Sequence, residues 1–348
     1  MSKLRFSLQP ETGRLSERDT KRYFSTFGIA AAVLMLAYYG SNYVFSLALA
    51  LFAPEWMIES AWLGNLLSFF TLYGIGFPCF LLVLLHLPRD TTPKAKMGGK
   101  SFWAGLCVAI ALMSIGSYLS EFINSYFASM TGGIPISNPV ETMTSQQSIL
   151  VDLIFVAILA PIFEELVFRK VVCDRLLPLG EGYAVVLSAV LFGLVHGNFF
   201  QFFYAAAVGA LFALIYVKTG RLRYSISYHI IINLLGGVIA PWLVERIMPW
   251  ATEEGIMELT ELAETDPAAL FHIWQVYLLP VMLYESVFLV AAVFGVVFLV
   301  KGRKRIHFLE GLLPPPKEHR VSTVFCSAGI AAAIAVFAGV FLLSLIGG

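Results

Sequence analysis

Long apolar runs separated by short polar connections make up most of this chain. Eight of the runs have about twenty residues or more, which is the length an α-helix needs to cross a hydrocarbon core about 30 Å thick. A ninth run, 183–196, would rise only about 20 Å as a helix, too little to cross. The pattern predicts an all-α, polytopic membrane protein with about nine (8–9) transmembrane helices. The eight long runs are 27–52, 61–87, 102–127, 149–168, 199–217, 224–248, 276–300 and 324–346.

The composition supports lipid as the main solvent. Of the 348 residues, 58% are hydrophobic and 13% are charged, whereas soluble domains average roughly 45–50% apolar and about 25% charged residues. The formal net charge is zero, and no basic patch with interleaved aromatic residues is present, so nucleic acid is not a predicted partner. The four cysteines show no CxxC spacing, and neither a disulfide framework nor a thiolate zinc site is indicated.

Basic residues fall in alternate connections, which predicts the orientation in the membrane. Of the 23 lysines and arginines, all but Arg246 lie in the amino-terminal segment or in the second, fourth, sixth and eighth connections. The positive-inside rule then predicts that the amino terminus is cytoplasmic and the carboxyl terminus external. The first apolar run is too long for a signal-peptide core of about 7–15 residues, so we interpret it as a retained span in a bacterial plasma membrane.

Five parts follow from this pattern. Residues 1–26 form a cytoplasmic segment, 27–144 the first transmembrane helices, 145–240 a central core, 241–275 an external acidic part and 276–348 the last transmembrane helices. The external part is interpreted as a solvated loop, although Thr265 and Asp266 before Pro267 resemble a helix start.

Three charged residues near the end of run 149–168 predict the functional site. Glu164 and Glu165 are adjacent, and Arg169 follows four residues after Glu165. A charge at the bilayer centre costs roughly 2.5–3.5 kcal/mol on insertion scales, so such groups usually face a protein interior and have a function. On a helix, Glu165 and Arg169 share a face and can pair, which leaves Glu164 free to exchange a proton. Pro161 removes a backbone donor, frees the carbonyl of Ala157 and predicts a kink.

Three further polar residues occupy predicted spans. His196 ends the short run, where Gly197 and Asn198 would turn the chain back at depth, and His229 and Asn233 share one helix face. We expect these three side chains and that of Glu164 to meet in an intramembrane active-site chamber, between the cytoplasmic face and mid-membrane. A carboxylate and an imidazole can deprotonate a water, and a nearby His and Asn can donate hydrogen bonds to the oxyanion formed when that water attacks an amide. Taken singly, each residue is more often a packing residue or part of a proton or ion relay.

The order EExxxR (Glu164, Glu165, Arg169), FxxxH (Phe192, His196) and HxxxN (His229, Asn233) resembles the CAAX protease and bacteriocin-processing family of intramembrane endopeptidases, also called the Abi or type II CAAX prenyl endopeptidase family. The similarity extends from residue 149 to about 239. It implies that Glu164 and His196 activate water, that His229 and Asn233 stabilise the oxyanion, and that Glu165 and Arg169 support the helix. It also implies a peptide or lipidated-protein substrate, since eukaryotic members cut prenylated proteins and bacterial relatives are associated with peptide processing, immunity and signalling.

Two questions stay open at this point. The first is whether a metal takes part. The family is often called a metalloprotease family, and Glu164, His196 and His229 are candidate zinc ligands. However, no HExxH motif is present, and a Glu/His pair could activate water without a cofactor, which is the mechanism we favour. The competing function is a non-enzymatic transporter or bacteriocin-immunity protein in which Glu164 relays protons or binds a peptide, assisted by Glu121, Asp152 and Glu285.

Overall fold

The computed structural model describes residues 4–54, 61–130, 149–318 and 320–346. Within these ranges the chain is helical and contains no strand, which confirms the predicted all-α class. Eleven helices are numbered here in chain order. They are α1 (Glu17–Phe52), α2 (61–84), α3 (Gly99–Met130), α4 (149–176), α5 (Glu181–Val195), α6 (Phe199–Thr219), α7 (Leu222–Ala251), α8 (Glu253–Thr265), α9 (Pro267–Arg305), α10 (Arg320–Phe325) and α11 (Ala328–Ile346).

Each of the nine predicted segments falls on a helix. Seven of the helices in the described ranges are long and apolar enough to cross a membrane: α1, α2, α3, α6, α7, α9 and α11. The short predicted run is α5, whose 15 residues end at Val195. The remaining segment is α4, in which α-helical turns alternate with two π-helical stretches. The chain is therefore a multi-pass membrane protein.

The connections that carry the basic residues meet at one face of the helix bundle. Backbone hydrogen bonds join the amino-terminal segment to the connection after α9, the connection after α2 to the end of α4, and that same connection to the end of α6. The pairs are Leu15 N to Pro314 O at 2.9 Å, Asp90 N to Asp174 O at 2.7 Å and Ala95 N to Thr219 O at 2.8 Å. These connections therefore lie on the same side, as the alternation of charge predicts. Which side faces the cytoplasm stays a prediction.

Small residues allow two pairs of helices to approach closely. A Cβ atom on Gly329 of α11 would lie 1.9 Å from the carbonyl oxygen of Ser25 on α1, and one on Gly295 of α9 would lie 2.0 Å from that of Cys107 on α3. Close backbone contact of this kind is the usual way for helices to associate in lipid, where apolar burial gives little driving force. It attaches α11 to α1 and α9 to α3.

The segment predicted to be a solvated acidic loop is largely helical. Thr252 caps α8 by accepting a hydrogen bond from the Gly255 N–H, and Asp266 caps α9 by accepting one from the Ala269 N–H. The predicted helix start at Asp266 is thus found. The loop interpretation was wrong because it weighed the charges of α8 and not its caps and its Glu, Leu and Met residues, which favour helix even on an exposed surface.

The predicted orientation can be tested by cysteine labelling. In a background with the exposed Cys326 replaced by serine, a membrane-impermeant thiol reagent added to intact cells should modify a cysteine at Glu261 on α8. It should not modify a cysteine at Thr92, because the connection after α2 belongs to the basic face. Permeabilised cells provide the control, since both positions should then react. If only the Thr92→Cys variant were labelled in intact cells, the orientation would be the reverse of the predicted one.

Candidate active site

Helix α4 carries both glutamates and has an irregular backbone. In the π-helical stretch Leu153–Leu159 the backbone hydrogen bonds span five residues instead of four, as between the Ala160 N–H and the Phe155 carbonyl. The next donor in this register would be Pro161, which has no N–H, so the carbonyl left without its helical donor is that of Val156 and not that of Ala157 as we predicted. The Asn233 side chain on α7 supplies the missing donor, since its Nδ2 lies 2.9 Å from the Val156 oxygen.

Glu165 and Arg169 form the predicted ion pair. Arg169 Nε lies 3.0 Å from Glu165 Oε2, and both side chains are completely buried. Arg169 Nη1 also donates to Ser188 Oγ on α5 at 3.0 Å, and the guanidinium lies 4.9 Å from the centre of the Phe192 ring. An ion pair in an apolar interior needs such extra partners to offset the loss of water. The pair thus fixes α4 against α5.

His229 lies between the two glutamates, which the sequence did not predict. Its Nδ1 is 3.1 Å from Glu165 Oε1, and its Nε2 is 3.6 Å from Glu164 Oε2. Glu165 therefore has a second contact besides Arg169, because one carboxylate oxygen accepts from Arg169 and the other faces the imidazole. The side chain of Glu165 sets the orientation of His229, whose Nε2 then points to Glu164.

Glu164 is held from a helix outside the predicted core. The hydroxyl of Tyr73 on α2 donates to Glu164 Oε1 at 2.6 Å, while Oε2 faces His229. The Glu164 side chain keeps 14% of its surface exposed, in contrast to the fully buried Glu165. Sequence reasoning missed Tyr73, because one tyrosine in an apolar run gives no signal of its partner.

His196 is connected to the same group of residues by its contacts with Phe192. Its Nδ1 lies 2.8 Å from the Phe192 carbonyl oxygen, which can only accept, so Nδ1 carries the proton and Nε2 of the neutral ring is an acceptor. The Phe192 ring contacts both imidazoles edge to face, with centroids 5.2 Å from His196 and 5.4 Å from His229. The chain turns back here as predicted, with Gly197 at φ 71° and Asn198 capping α6.

The predicted residues are therefore brought together, with one difference in pairing. In the described structure the imidazole within ion-pair distance of Glu164 is that of His229 and not that of His196. Asn233 lies on α7 one turn after His229 and contacts the helix that carries Glu164. Of the other acidic residues considered, Asp152 is buried, whereas Glu121 and Glu285 are exposed and do not belong to this cluster.

The three candidate zinc ligands do not form a ligand set in this arrangement. Across the described ranges, no group of three or more His, Cys, Asp or Glu side chains is placed to hold a metal ion. We therefore assign no catalytic step to a metal.

Fold and site together define a class: an all-α, multi-pass membrane protein with a Glu–His–Glu–Arg cluster between its helices. The comparisons with known proteins agree. A family model described as type II CAAX prenyl endopeptidase Rce1-like matches residues 146–235. The chain thus contains an Rce1-like segment, and the resemblance drawn from the motifs is confirmed. The matched range includes all six predicted site residues: Glu164, Glu165, Arg169, His196, His229 and Asn233.

Two bacterial proteins are similar to this chain. One, from Bacillus subtilis (strain 168), is named "Putative membrane peptidase YdiL" and is 28% identical over 183 residues, which are 51% of this chain and 72% of that protein. The other, from Staphylococcus aureus (strain USA300), is named "Membrane-embedded CAAX protease MroQ" and is 32% identical over 110 residues, 29% of this chain and 44% of that protein. No solved structure matches the chain significantly.

The two glutamates should respond differently to substitution. Glu165→Gln leaves a fully buried Arg169 without its carboxylate, and breaking a buried ion pair typically costs about 3–5 kcal/mol, so thermal stability in detergent should fall strongly. Glu164→Gln should leave stability nearly unchanged, because Glu164 has no cationic partner of this kind. The exposed Glu285→Gln is the control for expression. Equal losses of stability at positions 164 and 165 would contradict the division of roles.

Proposed function

We propose that this protein is an intramembrane endopeptidase, in which Glu164 and a histidine activate the water that hydrolyses a peptide bond. The observation that carries the proposal is the contact between the partly exposed Glu164 and His229 Nε2. The buried Glu165 contacts Nδ1, the other nitrogen of the same imidazole. The cluster lies inside the Rce1-like segment. The names of YdiL and MroQ, a peptidase and a protease of the membrane, support the same reaction class.

Glu164 and His196 are suited to accept the proton of the attacking water. Glu164 Oε2 is the carboxylate oxygen that Tyr73 does not occupy, and the Nε2 of a neutral His196 has a free lone pair because Nδ1 carries the proton. The water attacks the amide carbon, its proton passes to Glu164 Oε2 or to His196 Nε2, and the same proton then goes to the leaving amine as the C–N bond breaks.

His229 and Asn233 are suited to stabilise the oxyanion of the tetrahedral intermediate. His229 can donate from Nδ1 to Glu165 and from Nε2 toward Glu164 or the oxyanion when both ring nitrogens are protonated. The Asn233 amide has two N–H bonds, and only one is needed for the Val156 carbonyl. The second is available to the substrate, and the bond to Val156 fixes its direction.

The position of the cluster suggests the class of substrate. The glutamates lie in a helix of the membrane bundle, so the scissile bond must belong to a peptide or protein that is itself membrane-associated, for example a lipidated one. The transport alternative is less well supported, because two of the three acidic residues that would assist Glu164, Glu121 and Glu285, are exposed and lie outside the cluster.

Peptidase activity can be tested by comparing peptides from membranes of cells that contain the intact protein with those from cells that contain Glu164→Ala. We expect a set of fragments with common termini that disappears in Glu164→Ala and persists in the control Glu285→Ala, because only the first removes the proton acceptor. Identical peptide sets in all three strains, with a purified protein that binds but never cuts these peptides, would favour a binding or transport role.

Asn233 provides a separate test of the oxyanion step. Loss of one oxyanion donor typically lowers turnover about 100- to 1,000-fold, roughly 2.7–4 kcal/mol, with little change in substrate binding, and we expect this of Asn233→Ala. Since the substitution also removes the donor for Val156, a moderate loss of thermal stability should accompany it. If activity after removal of metal by a chelator depended on added zinc, and Asn233→Ala lowered turnover only mildly, a metal mechanism would replace this one.

A further inference from the structure

The shortest hydrogen bond to Glu164 in the described structure comes from outside the Rce1-like segment. Tyr73 lies on α2, and its hydroxyl is 2.6 Å from Glu164 Oε1. The Rce1-like match begins at residue 146, so neither the match nor the six predicted site residues include Tyr73. A hydrogen bond of this length to a carboxylate is in the range of the strong, charge-assisted bonds.

The surroundings of Tyr73 hold its ring in place. The Tyr73 ring packs against Phe69 at 4.3 Å and Phe77 at 5.2 Å on its own helix, and against Phe163 of α4 at 5.4 Å between centroids. Phe163 immediately precedes Glu164, so the two helices are in contact beside the hydrogen bond. Tyr73 also lies in a π-helical stretch, Phe70–Gly76, and π-bulges occur frequently at functional sites.

The hydrogen bond restricts what the carboxylate can do. A glutamate side chain has three rotatable bonds, so its two carboxylate oxygens can take several directions unless a donor holds one of them. The phenol donates to Oε1, which leaves Oε2 as the oxygen that faces His229 at 3.6 Å. A donor held by three aromatic rings therefore fixes both the position and the direction of the carboxylate.

We propose that Tyr73 is a positioning residue for the reaction: it holds Glu164 so that Oε2 accepts the proton of the attacking water. This inference rests on the proposed function, because the orientation of Glu164 matters for turnover only if Glu164 accepts a proton. It also extends the active site to α2, beyond the motifs on α4, α5 and α7. Tyr73 acts through Glu164 and does not itself contact the substrate in this role.

Tyr73→Phe tests the role because it removes only the hydroxyl and keeps the aromatic packing. The control is Tyr216→Phe, which removes a buried tyrosine hydroxyl that donates to Asp174 Oδ1 at 2.7 Å, away from Glu164. With an internally quenched peptide library in proteoliposomes, Tyr73→Phe should lower kcat about 10- to 100-fold at nearly unchanged KM. Tyr216→Phe should retain the turnover of the intact protein. Equal kcat values for the two variants would overturn the proposal.

A spectroscopic measurement separates this inference from the proposed function. The carboxylate stretching bands of Glu164 can be assigned by infrared difference spectroscopy as the bands that are lost in Glu164→Gln. Removal of the Tyr73 hydroxyl should shift these bands, and Tyr216→Phe should leave them in place. Unshifted bands in Tyr73→Phe would overturn the positioning role even in an active enzyme. If the bands shift but no form of the protein, intact or variant, cuts any peptide, the hydrogen bond stands while the peptidase and its positioning residue are both rejected.

Discussion

The ion pair between Glu165 and Arg169 is the interaction on which the arrangement of the site depends. Both side chains are fully buried, and an ion pair in such a place is stable only if further polar and aromatic partners offset the lost hydration. Those partners come from different helices: Ser188 from α5, Phe212 from α6 and His229 from α7. The requirement to satisfy one buried pair therefore brings the helices of the Rce1-like segment to one point.

The same requirement gives the adjacent glutamates different surroundings. Glu165 has a cation on one oxygen and an imidazole on the other, and its side chain is completely buried, so it is not exposed to a substrate. Glu164 points to another side of α4, toward α2, keeps some exposure, and contacts the Tyr73 hydroxyl and His229 Nε2. One glutamate is thus committed to structure, and the other is available for proton transfer. His229 connects them, because its orientation by Glu165 determines what Glu164 faces.

Helix periodicity and the order of the motifs predict part of this site from the sequence. The i,i+4 pairing of Glu165 with Arg169 follows from helix geometry, and the turn after His196 follows from the length of its apolar run. The contacts of His229 with both glutamates and of Tyr73 with Glu164 depend on how separate helices approach, which no pattern within one helix contains. Pro161 indicated an irregular α4. The carbonyl that loses its helical donor was predicted to be that of Ala157, but in the π-helical hydrogen-bond pattern it is that of Val156.

This register also gives Asn233 a use that is independent of any substrate. A carbonyl without a donor inside a membrane bundle is costly, and the Asn233 amide satisfies the one that Pro161 leaves on Val156. In doing so it ties α7 to α4 eight residues before Glu164. The HxxxN pair therefore holds α4 at two points, His229 at the glutamates and Asn233 at the π-helical stretch. The four-residue spacing of His229 and Asn233 in the α-helical part of α7 thus fixes the irregular helix α4, which carries Glu164.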